Sequence, residues 1–305
     1  MPPAGTFKRT IHTAFYDAMF GDKPSSGELN NLENTILTKV RDVLNNPEKL
    51  NRHIPPLPVL VLRLLDLTRD PHADFAQLAK VIEHDPSLSG RVLQLANSPF
   101  YFRGAAKIKS LEKAVSLLGL SGVSNIASTI IMEKIKPANP IYYKMFGKQI
   151  WDHSIQTAYA CRDFAMEADE EEFSGYFLGL IHDVGKIVIF NCLCQALVGN
   201  FDDEMPSSHI FKALMSEMSV DMSVAIGEEW DLPQEFRDAL IQQRTGQFSA
   251  LGDALFKANI LTELYLLTKT KLIPEHKSQQ IMLKRGIDLD YAEDFFGVAE
   301  EVVKM

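Results

Sequence analysis

The chain has 305 residues, of which 46% are hydrophobic and 23% are charged, and its formal net charge at pH 7 is −9. These values are typical of a soluble globular protein with room for one large domain or two modest ones. The acidic balance argues against a dominant nucleic-acid surface, which should be basic. Three cysteines are too few for a disulfide framework, so we interpret them as reduced thiols of a cytoplasmic protein.

No apolar run approaches the length of a membrane span, and the N-terminus lacks the charged-then-apolar pattern of a signal peptide. We therefore expect no membrane partner.

The first part of the chain carries helical patterns divided by short breakers. Apolar residues recur at helical spacing through residues 7 to 50, and we assign residues 1–50 to an N-terminal helical extension. The proline-rich run at residues 54–58 marks the start of a new unit, because proline lacks an amide donor and restricts the residue before it. Asp85 before a proline is a typical helix start, and Asn97 is expected to bond the backbone at the end of that helix.

Two short helices, predicted over residues 110–119 and 121–134, meet near Gly119. Such a pair can indicate a helix-turn-helix DNA reader, but the second helix has no arginine and its one lysine lies at its far end. No alternating strand pattern and no internal repeat is visible. The sequence therefore predicts an all-α fold with two helical subdomains, over residues 51–136 and 137–305, that meet at a proline-containing boundary.

The second half contains a stretch that resembles a reactive centre in its chemistry. His182 and Asp183 lie side by side in an otherwise apolar run, and Gly185 and Lys186 follow. Apolar segments normally exclude charged groups unless these are paired or bind a metal. Imidazole and carboxylate are good ligands for zinc, iron or manganese, and the upstream His153 is a further candidate ligand. Consecutive helical residues point about 100° apart, so the pair can face one point only near a helix end, which we place at Gly185.

Several motifs resemble those of the bacterial HDOD domain. They are Pro55-Pro-Leu-Pro58, Ile82-Glu-His-Asp-Pro-Ser-Leu-Ser89, Leu95-Ala-Asn-Ser98, Ser110-Leu-x-x-Ala114-Val-x-x-Leu-Gly119, Gly179-Leu-Ile-His-Asp-Val-Gly185 and Trp230-x-Leu-Pro233. The resemblance covers about residues 50 to 265 and makes the second subdomain HD-like. It implies the wider HD superfamily, in which a first histidine, a His-Asp pair and a late aspartate hold a divalent metal. Active members of that superfamily hydrolyse phosphate esters, whereas HDOD proteins are generally regarded as regulatory modules.

Applied residue by residue, the resemblance implies an incomplete metal site. His153 matches the first ligand and His182 with Asp183 matches the central pair, whereas Asn259 stands in place of the late aspartate. This replacement removes a negative charge and leaves only a weak carbonyl donor. A binuclear phosphodiesterase centre is therefore not expected.

Four more positions depart from the HD pattern or bear on ligand binding. Met222 stands where related chains often carry a histidine, and Gln242 and Gln243 stand where a His-His pair often follows. These side chains are poor ligands for hard divalent ions. Lys186 matches a lysine that assists catalysis in relatives that hydrolyse cyclic dinucleotides, or it is simply solvated. Together with the two glutamines it would line the old active-site cleft, where a nucleotide-like small ligand could be sensed.

Three hypotheses follow. The leading one is a bacterial signal-transduction module of the HDOD type that binds protein partners or a small ligand. It has no catalytic residue, requires no cofactor and keeps at most one residual iron, zinc or manganese ion. The alternative is a metal-dependent phosphohydrolase with an incomplete ligand set. In the third, His182 and Asp183 are only a structural pair that joins two helices, which is compatible with the first. The sequence predicts neither the partner nor the oligomeric state.

Overall fold

The computed structural model describes residues 11, 14–19, 31–99, 101, 104, 107–135, 147–197 and 208–304. Within these residues the protein has fourteen α-helices, one short 3-10 helix and no β-strand, so the predicted all-α fold is confirmed. Residues 14–19 form a further helical segment. The helices are α1 (Asn31–Leu44), α2 (Pro47–Asn51), α3 (Val59–Arg69), α4 (Phe75–Glu83), α5 (Pro86–Ala96), α6 (Leu111–Met132), α7 (Lys148–Glu167), α8 (Glu172–Ile181), α9 (Val184–Leu197), α10 (Ser208–Glu229), α11 (Gln234–Thr245), α12 (Ala250–Lys269), α13 (Glu275–Lys284) and α14 (Leu289–Val298).

Local sequence signals account for several helix boundaries in the first half. Asp85 accepts hydrogen bonds from two backbone N–H groups in the first turn of α5, as its place before a proline predicts. Asp74 and Gln77 form a reciprocal capping box at the start of α4. Gly119 interrupts α6 with a φ of 76°, a left-handed conformation that favours glycine. The two short helices predicted on either side of Gly119 are thus the two arms of one kinked element.

Asn97, directly after α5, holds the following loop through its side-chain amide. Its Nδ2 donates to Leu93 O at 2.7 Å and to Ile108 O at 2.9 Å, and its Oδ1 accepts from Ile108 N at 2.7 Å. The prediction that Asn97 bonds the backbone at this helix end is confirmed, and the bonded backbone includes a residue eleven positions further on.

An Asn97→Ala variant should lower the free energy of unfolding by about 2 kcal/mol, because both backbone groups of Ile108 lose their partner and an unsatisfied buried group costs about 1–3 kcal/mol. Urea denaturation followed by circular dichroism measures the change. An Asn97→Asp variant keeps the hydrogen-bond acceptor but loses the donor. We expect its free energy of unfolding to lie between those of wild type and Asn97→Ala. Equal stability of wild type and Asn97→Ala would show that the loop does not depend on this amide.

Several side-chain contacts join the first half of the chain to the second. Trp230 Nε1 donates to Pro55 O at 2.8 Å, which attaches the proline-rich run to the end of α10. Arg69, at the end of α3, donates to Ser174 Oγ of α8 at 2.9 Å and pairs with Glu235 of α11 at 2.8 Å. Both halves contribute to one hydrophobic core. The boundary predicted around residues 136–140 lies outside the described residues, so a division at that point stays a prediction.

Two stretches, Leu111–Ile135 and Glu172–Leu193, are long and apolar enough to cross a membrane by length and composition. The statement that no apolar run approaches the length of a span is therefore wrong. In the second stretch 94% of the apolar window is buried inside the protein, and in the first 56% is buried. Core helices of soluble proteins pass the same test, so these stretches are weak indicators of a membrane span.

The described parts of the N-terminal extension pack on the rest of the same chain. α1 contacts α9 and α10, and Arg41 pairs with Glu217 of α10 at 2.6 Å. In the segment 14–19, Asp17 pairs with Lys212 at 2.6 Å. The extension thus lies against the second half of the protein.

The second half is organised around the buried helix α7, which packs between α8 and α12. Gly175 and Gly179 of α8 face α7 at very short range. A Cβ added to Gly179 would lie 2.7 Å from Ala158 Cα, and one added to Gly175 would lie 2.5 Å from Ala165 Cβ. The two glycines let the helices approach at backbone distance, which brings the end of α8 next to His153 of α7.

Candidate functional site

His182 and Asp183 lie in the short break between α8 and α9. The pair is therefore at a helix end, as expected, but Gly185 does not end the helix. It lies in the first turn of α9, where an added Cβ would be 2.4 Å from Ser219 O of α10. Its N–H also donates to Ser223 Oγ at 3.0 Å. Gly185 is thus required by the close approach of α10 rather than by helix termination.

His153, His182 and Asp183 converge, with one ligand atom from each lying within 4.8 Å of the others. Asp183 Oδ2 is 3.2 Å from His182 Nε2 and 3.4 Å from His153 Nε2. His182 Nδ1 lies 2.7 Å from Gly179 O. A donor bond from Nδ1 to this carbonyl turns Nε2 toward the cluster, an orientation that metal-binding histidines share. The structure thus brings together the three residues that the sequence names as metal ligands.

Lys186 adds a cation at the same point. Its Nζ lies 2.6 Å from Asp183 Oδ2, the same oxygen that faces both histidines, and its side chain is only 4% exposed. The ammonium also lies 5.2 Å and 5.4 Å from the ring centroids of Phe15 and Tyr16, within the range of cation–π attraction. Burial lowers the pKa of Lys186, but the Asp183 carboxylate outweighs this and the net pKa is raised.

The charges of the cluster follow from the same contacts. Burial raises the pKa of the Asp183 carboxyl. His182 and Lys186 lower this pKa by more than burial raises it, so the net pKa is well below its usual value. Burial lowers the pKa of His153 well below its usual value, against the opposing effect of Asp183. The cluster therefore contains a carboxylate, a lysine ammonium and a neutral His153 imidazole.

Asn259 of α12 stands beside His153, with its Oδ1 3.1 Å from His153 Nε2. The residue that replaces the late aspartate of the HD pattern is thus in hydrogen-bond contact with the cluster. An amide carries no charge, so Asn259 does not help to balance a cation. Asn259 Oδ1 instead accepts a hydrogen bond from His153 Nε2.

The N-terminal segment covers the His153 side of the cluster. The Phe15 and His153 rings lie 4.6 Å apart between centroids, Phe15 is fully buried, and Tyr16 is 3% exposed. A cavity of about 300 Å³ borders this place and is lined by Phe15 and His153 among others, but not by Asp183 or Lys186. Sequence reasoning missed this role of Phe15, because helical spacing shows only that it has a buried face.

Gln242 and Gln243, predicted to line the cleft with Lys186, form hydrogen bonds at the turn between α11 and α12. Gln242 Oε1 accepts from Ser249 N at 2.8 Å. Gln243 Nε2 donates to Ala239 O at 2.9 Å and to Gly252 O at 3.0 Å. These bonds hold the turn that leads into the helix of Asn259, and a role of the two glutamines in ligand binding stays a prediction.

As folded, these residues do not fit a tightly held divalent cation. Asp183 supplies the one carboxylate among the three candidate ligands, and its Oδ2 is already in contact with Lys186 at 2.6 Å. A divalent ion at this point would share Asp183 Oδ2 with the Lys186 ammonium, and two like charges side by side are costly in a buried site, although the buried Glu263 also attracts Lys186. Within the cluster, Lys186 is already the cation that faces Asp183.

Residues 54–245 match the HDOD domain family. The chain belongs to this family. The matched region runs from α3 to α11 and contains His153, His182, Asp183 and Lys186, so the family resemblance carried by the sequence motifs is confirmed.

Solved structures of HDOD-like proteins share the fold. A proposed metal-dependent phosphohydrolase from Shewanella amazonensis SB2B superposes with a TM-score of 0.62 at 20% identity, covering 90% of this chain and 99% of that one. An HDOD domain protein of unknown function from Geobacter sulfurreducens gives 0.58 at 21% identity, covering 88% and 98%. A proposed signal transduction protein from Marinobacter aquaeolei VT8 gives 0.58 at 21%, covering 92% and 65%. At these identities the likeness shows the fold alone.

An uncharacterized protein of Treponema pallidum (strain Nichols) is 21% identical over 187 residues, which is 59% of this chain. The match covers only 36% of that relative's own length.

Proposed function

We propose that this HDOD protein is a non-catalytic regulatory module in which Lys186 takes the place of a divalent cation. The observation that carries the proposal is the 2.6 Å contact between Lys186 Nζ and Asp183 Oδ2 inside a buried cluster. A lysine at this position also assists catalysis in metal-dependent relatives, so the proposal rests equally on the missing late carboxylate, whose place Asn259 takes. The HD architecture is thereby kept while its hydrolytic chemistry is lost.

Two further features support this function. Hydrolysis by a metal-bound hydroxide needs an open position for water and substrate, yet Phe15 is fully buried with its ring centroid 4.6 Å from that of His153. In place of the late aspartate, Asn259 forms an amide–imidazole contact with His153 at 3.1 Å. Apart from the cavity of about 300 Å³ that His153 lines, the described part of the site is built like a packed core with an internal ion pair.

A regulatory module acts by binding, and we propose that this one binds protein partners in bacterial signalling, in the cytoplasm. The likeness in fold to a proposed signal transduction protein supports this reading. The alternative is a metal-dependent phosphohydrolase. It is favoured by the three converging ligand atoms and by the orientation of His182, whose Nδ1 faces Gly179 O at 2.7 Å.

Metal content decides between these functions. Wild type and a His182→Ala variant are purified without chelator, incubated with Zn²⁺, Mn²⁺ or Fe²⁺, desalted and measured by plasma mass spectrometry. Hydrolysis of p-nitrophenyl phosphate and bis(p-nitrophenyl) phosphate is assayed in parallel. We expect metal well below one ion per chain in both proteins and no hydrolysis above the His182→Ala background. Near-stoichiometric metal that is lost in the variant would overturn the role of Lys186, and hydrolysis lost with it would establish the phosphohydrolase.

A further inference from the structure

A second cavity, of about 390 Å³, lies where the two halves of the chain meet. One wall comes from α5 and α6, and the other comes from α7, α8 and residues 302–304. Its volume falls in the range of small-molecule pockets, roughly 300–1,000 Å³. Neither His153 nor Asp183 nor Lys186 lines it, so it is separate from the cluster described above.

The inner surface of this interdomain cavity combines flat rings with hydroxyl groups. Tyr101, Trp151 and Tyr159 contribute to its walls. The rings of Tyr159 and Tyr176 meet edge to face, 5.2 Å apart. The Tyr176 hydroxyl is 2.7 Å from Thr129 Oγ1, and the hydroxyls of Tyr101 and Tyr159 are hydrogen-bonded to each other. Aromatic walls of this kind favour a flat ring, which can stack or meet them edge to face.

The rim of the cavity is charged. Arg91, Lys148 and Lys304 supply three cations, whereas Glu133 and Asp152 supply two carboxylates. Arg91 pairs with Glu133 at 2.6 Å with 45% of its side chain exposed, and Lys148 pairs with Asp152 with 59% exposed. Exposed ion pairs of this kind are weak, so a ligand anion can compete for the cations. Lys304 in turn lies 3.7 Å from Glu300, so the rim is close to neutral, in contrast with the net charge of −9 of the whole chain.

We propose that the interdomain cavity binds a planar aromatic acid, with its ring among Trp151, Tyr159 and Leu95 and its single anionic group at Arg91 and Lys148. A ligand in this position touches both halves of the chain. Binding here would supply a regulatory module with an input. The inference goes beyond the proposed function, since it does not depend on the state of the His182–Asp183 cluster.

The test uses 1-anilinonaphthalene-8-sulfonate, a planar aromatic anion, and N-phenyl-1-naphthylamine, which has the same rings without the sulfonate. Isothermal titration of the wild type should give one saturable site for the sulfonate and weaker binding of the neutral compound. Leu95→Phe, which fills the cavity, should weaken sulfonate binding about tenfold. Leu117→Phe adds the same phenyl group at a side chain that is 47% exposed and does not line the cavity, and it should leave binding unchanged.

Charge and location are tested by two further measurements. The double variant Arg91→Gln/Lys148→Gln should bind the sulfonate more weakly and the neutral compound as well as wild type does. The control Lys269→Gln/Lys277→Gln, outside this cavity, should change the binding of neither compound.

In a Trp230→Phe background the remaining Trp151 should lose emission to the bound probe by energy transfer, and in wild type the same loss should be visible. Equal binding by wild type and Leu95→Phe, or Trp151 emission that is unchanged at saturation, would place the probe elsewhere and overturn the proposal. Metal content plays no part in either result, so this proposal and the proposed function fail independently.

Discussion

Replacing Lys186 with methionine should lower the free energy of unfolding by about 3–5 kcal/mol, because it removes one partner of a buried ion pair and leaves the Asp183 carboxylate uncompensated. Methionine keeps most of the length and apolar surface of the lysine stem, so the loss reports mainly on the charge. Urea denaturation at neutral pH measures it. Lys269→Met is the matched control, because Lys269 pairs with Glu300 at 2.6 Å with 50% of its side chain exposed, and exposed pairs contribute about 0–1 kcal/mol.

The same variant should acquire a metal site. Without the ammonium, Asp183 Oδ2 is free to meet a cation together with His153 and His182, and imidazole with carboxylate is a suitable set for zinc. We expect about one Zn²⁺ per chain in Lys186→Met and a higher Tm with added Zn²⁺, since a ligand that binds only the folded state stabilises it. A Lys186→Met/His182→Ala double variant should lose both effects. A Lys186→Met protein that is destabilised but gains nothing from zinc would show that the lysine is a structural partner and not a substitute for a cation.

The part of the fold that was predictable from sequence rests on signals between near neighbours. Asp85 caps α5 and Gly119 breaks α6 because a side chain or a φ value fixes the backbone within a few residues. The break at His182 and Asp183 follows from a similar local argument, since two adjacent polar residues in a buried helix cannot face the same point. These features need no knowledge of what packs against them.

The remaining parts of the site depend on long-range packing. The ring centroids of Phe15 and His153 lie 4.6 Å apart, but helical spacing in residues 7–50 predicts only an apolar face and not what it covers. Gly185 shows the same limit: its position in the sequence predicts a helix end, whereas the missing side chain makes room for Ser219 O of α10. Lys186 lies three residues after Asp183, a spacing at which side chains on a helix meet. This signal was available in the sequence and could have identified the ion pair.

Gly179→Ala should be the other severe substitution, with a fall of about 3 kcal/mol in the free energy of unfolding. A Cβ at this position would lie 2.7 Å from both Ala158 Cα and Thr157 O. These are backbone atoms of α7 that cannot rotate away, so α8 must move, and overpacking of this kind costs about 1–3 kcal/mol or more. Gly179 O also faces His182 Nδ1 at 2.7 Å, so any shift of α8 moves the cluster.

Gly90→Ala is the matched control for this prediction, because an added Cβ at Gly90 in α5 meets nothing within 4 Å. There the alanine should raise stability by about 0.5–1 kcal/mol through its helix propensity and the reduced entropy of the unfolded chain. Thermal and urea unfolding of the two variants beside wild type make the comparison. A loss of stability in Gly179→Ala together with a gain in Gly90→Ala would show that Gly179 allows the backbone contact between α7 and α8. The positions of His153 and His182 would then depend on this spacing. A Gly179→Ala variant as stable as Gly90→Ala would mean that the two helices can separate freely, and the close helix contact would then not determine the geometry of the cluster.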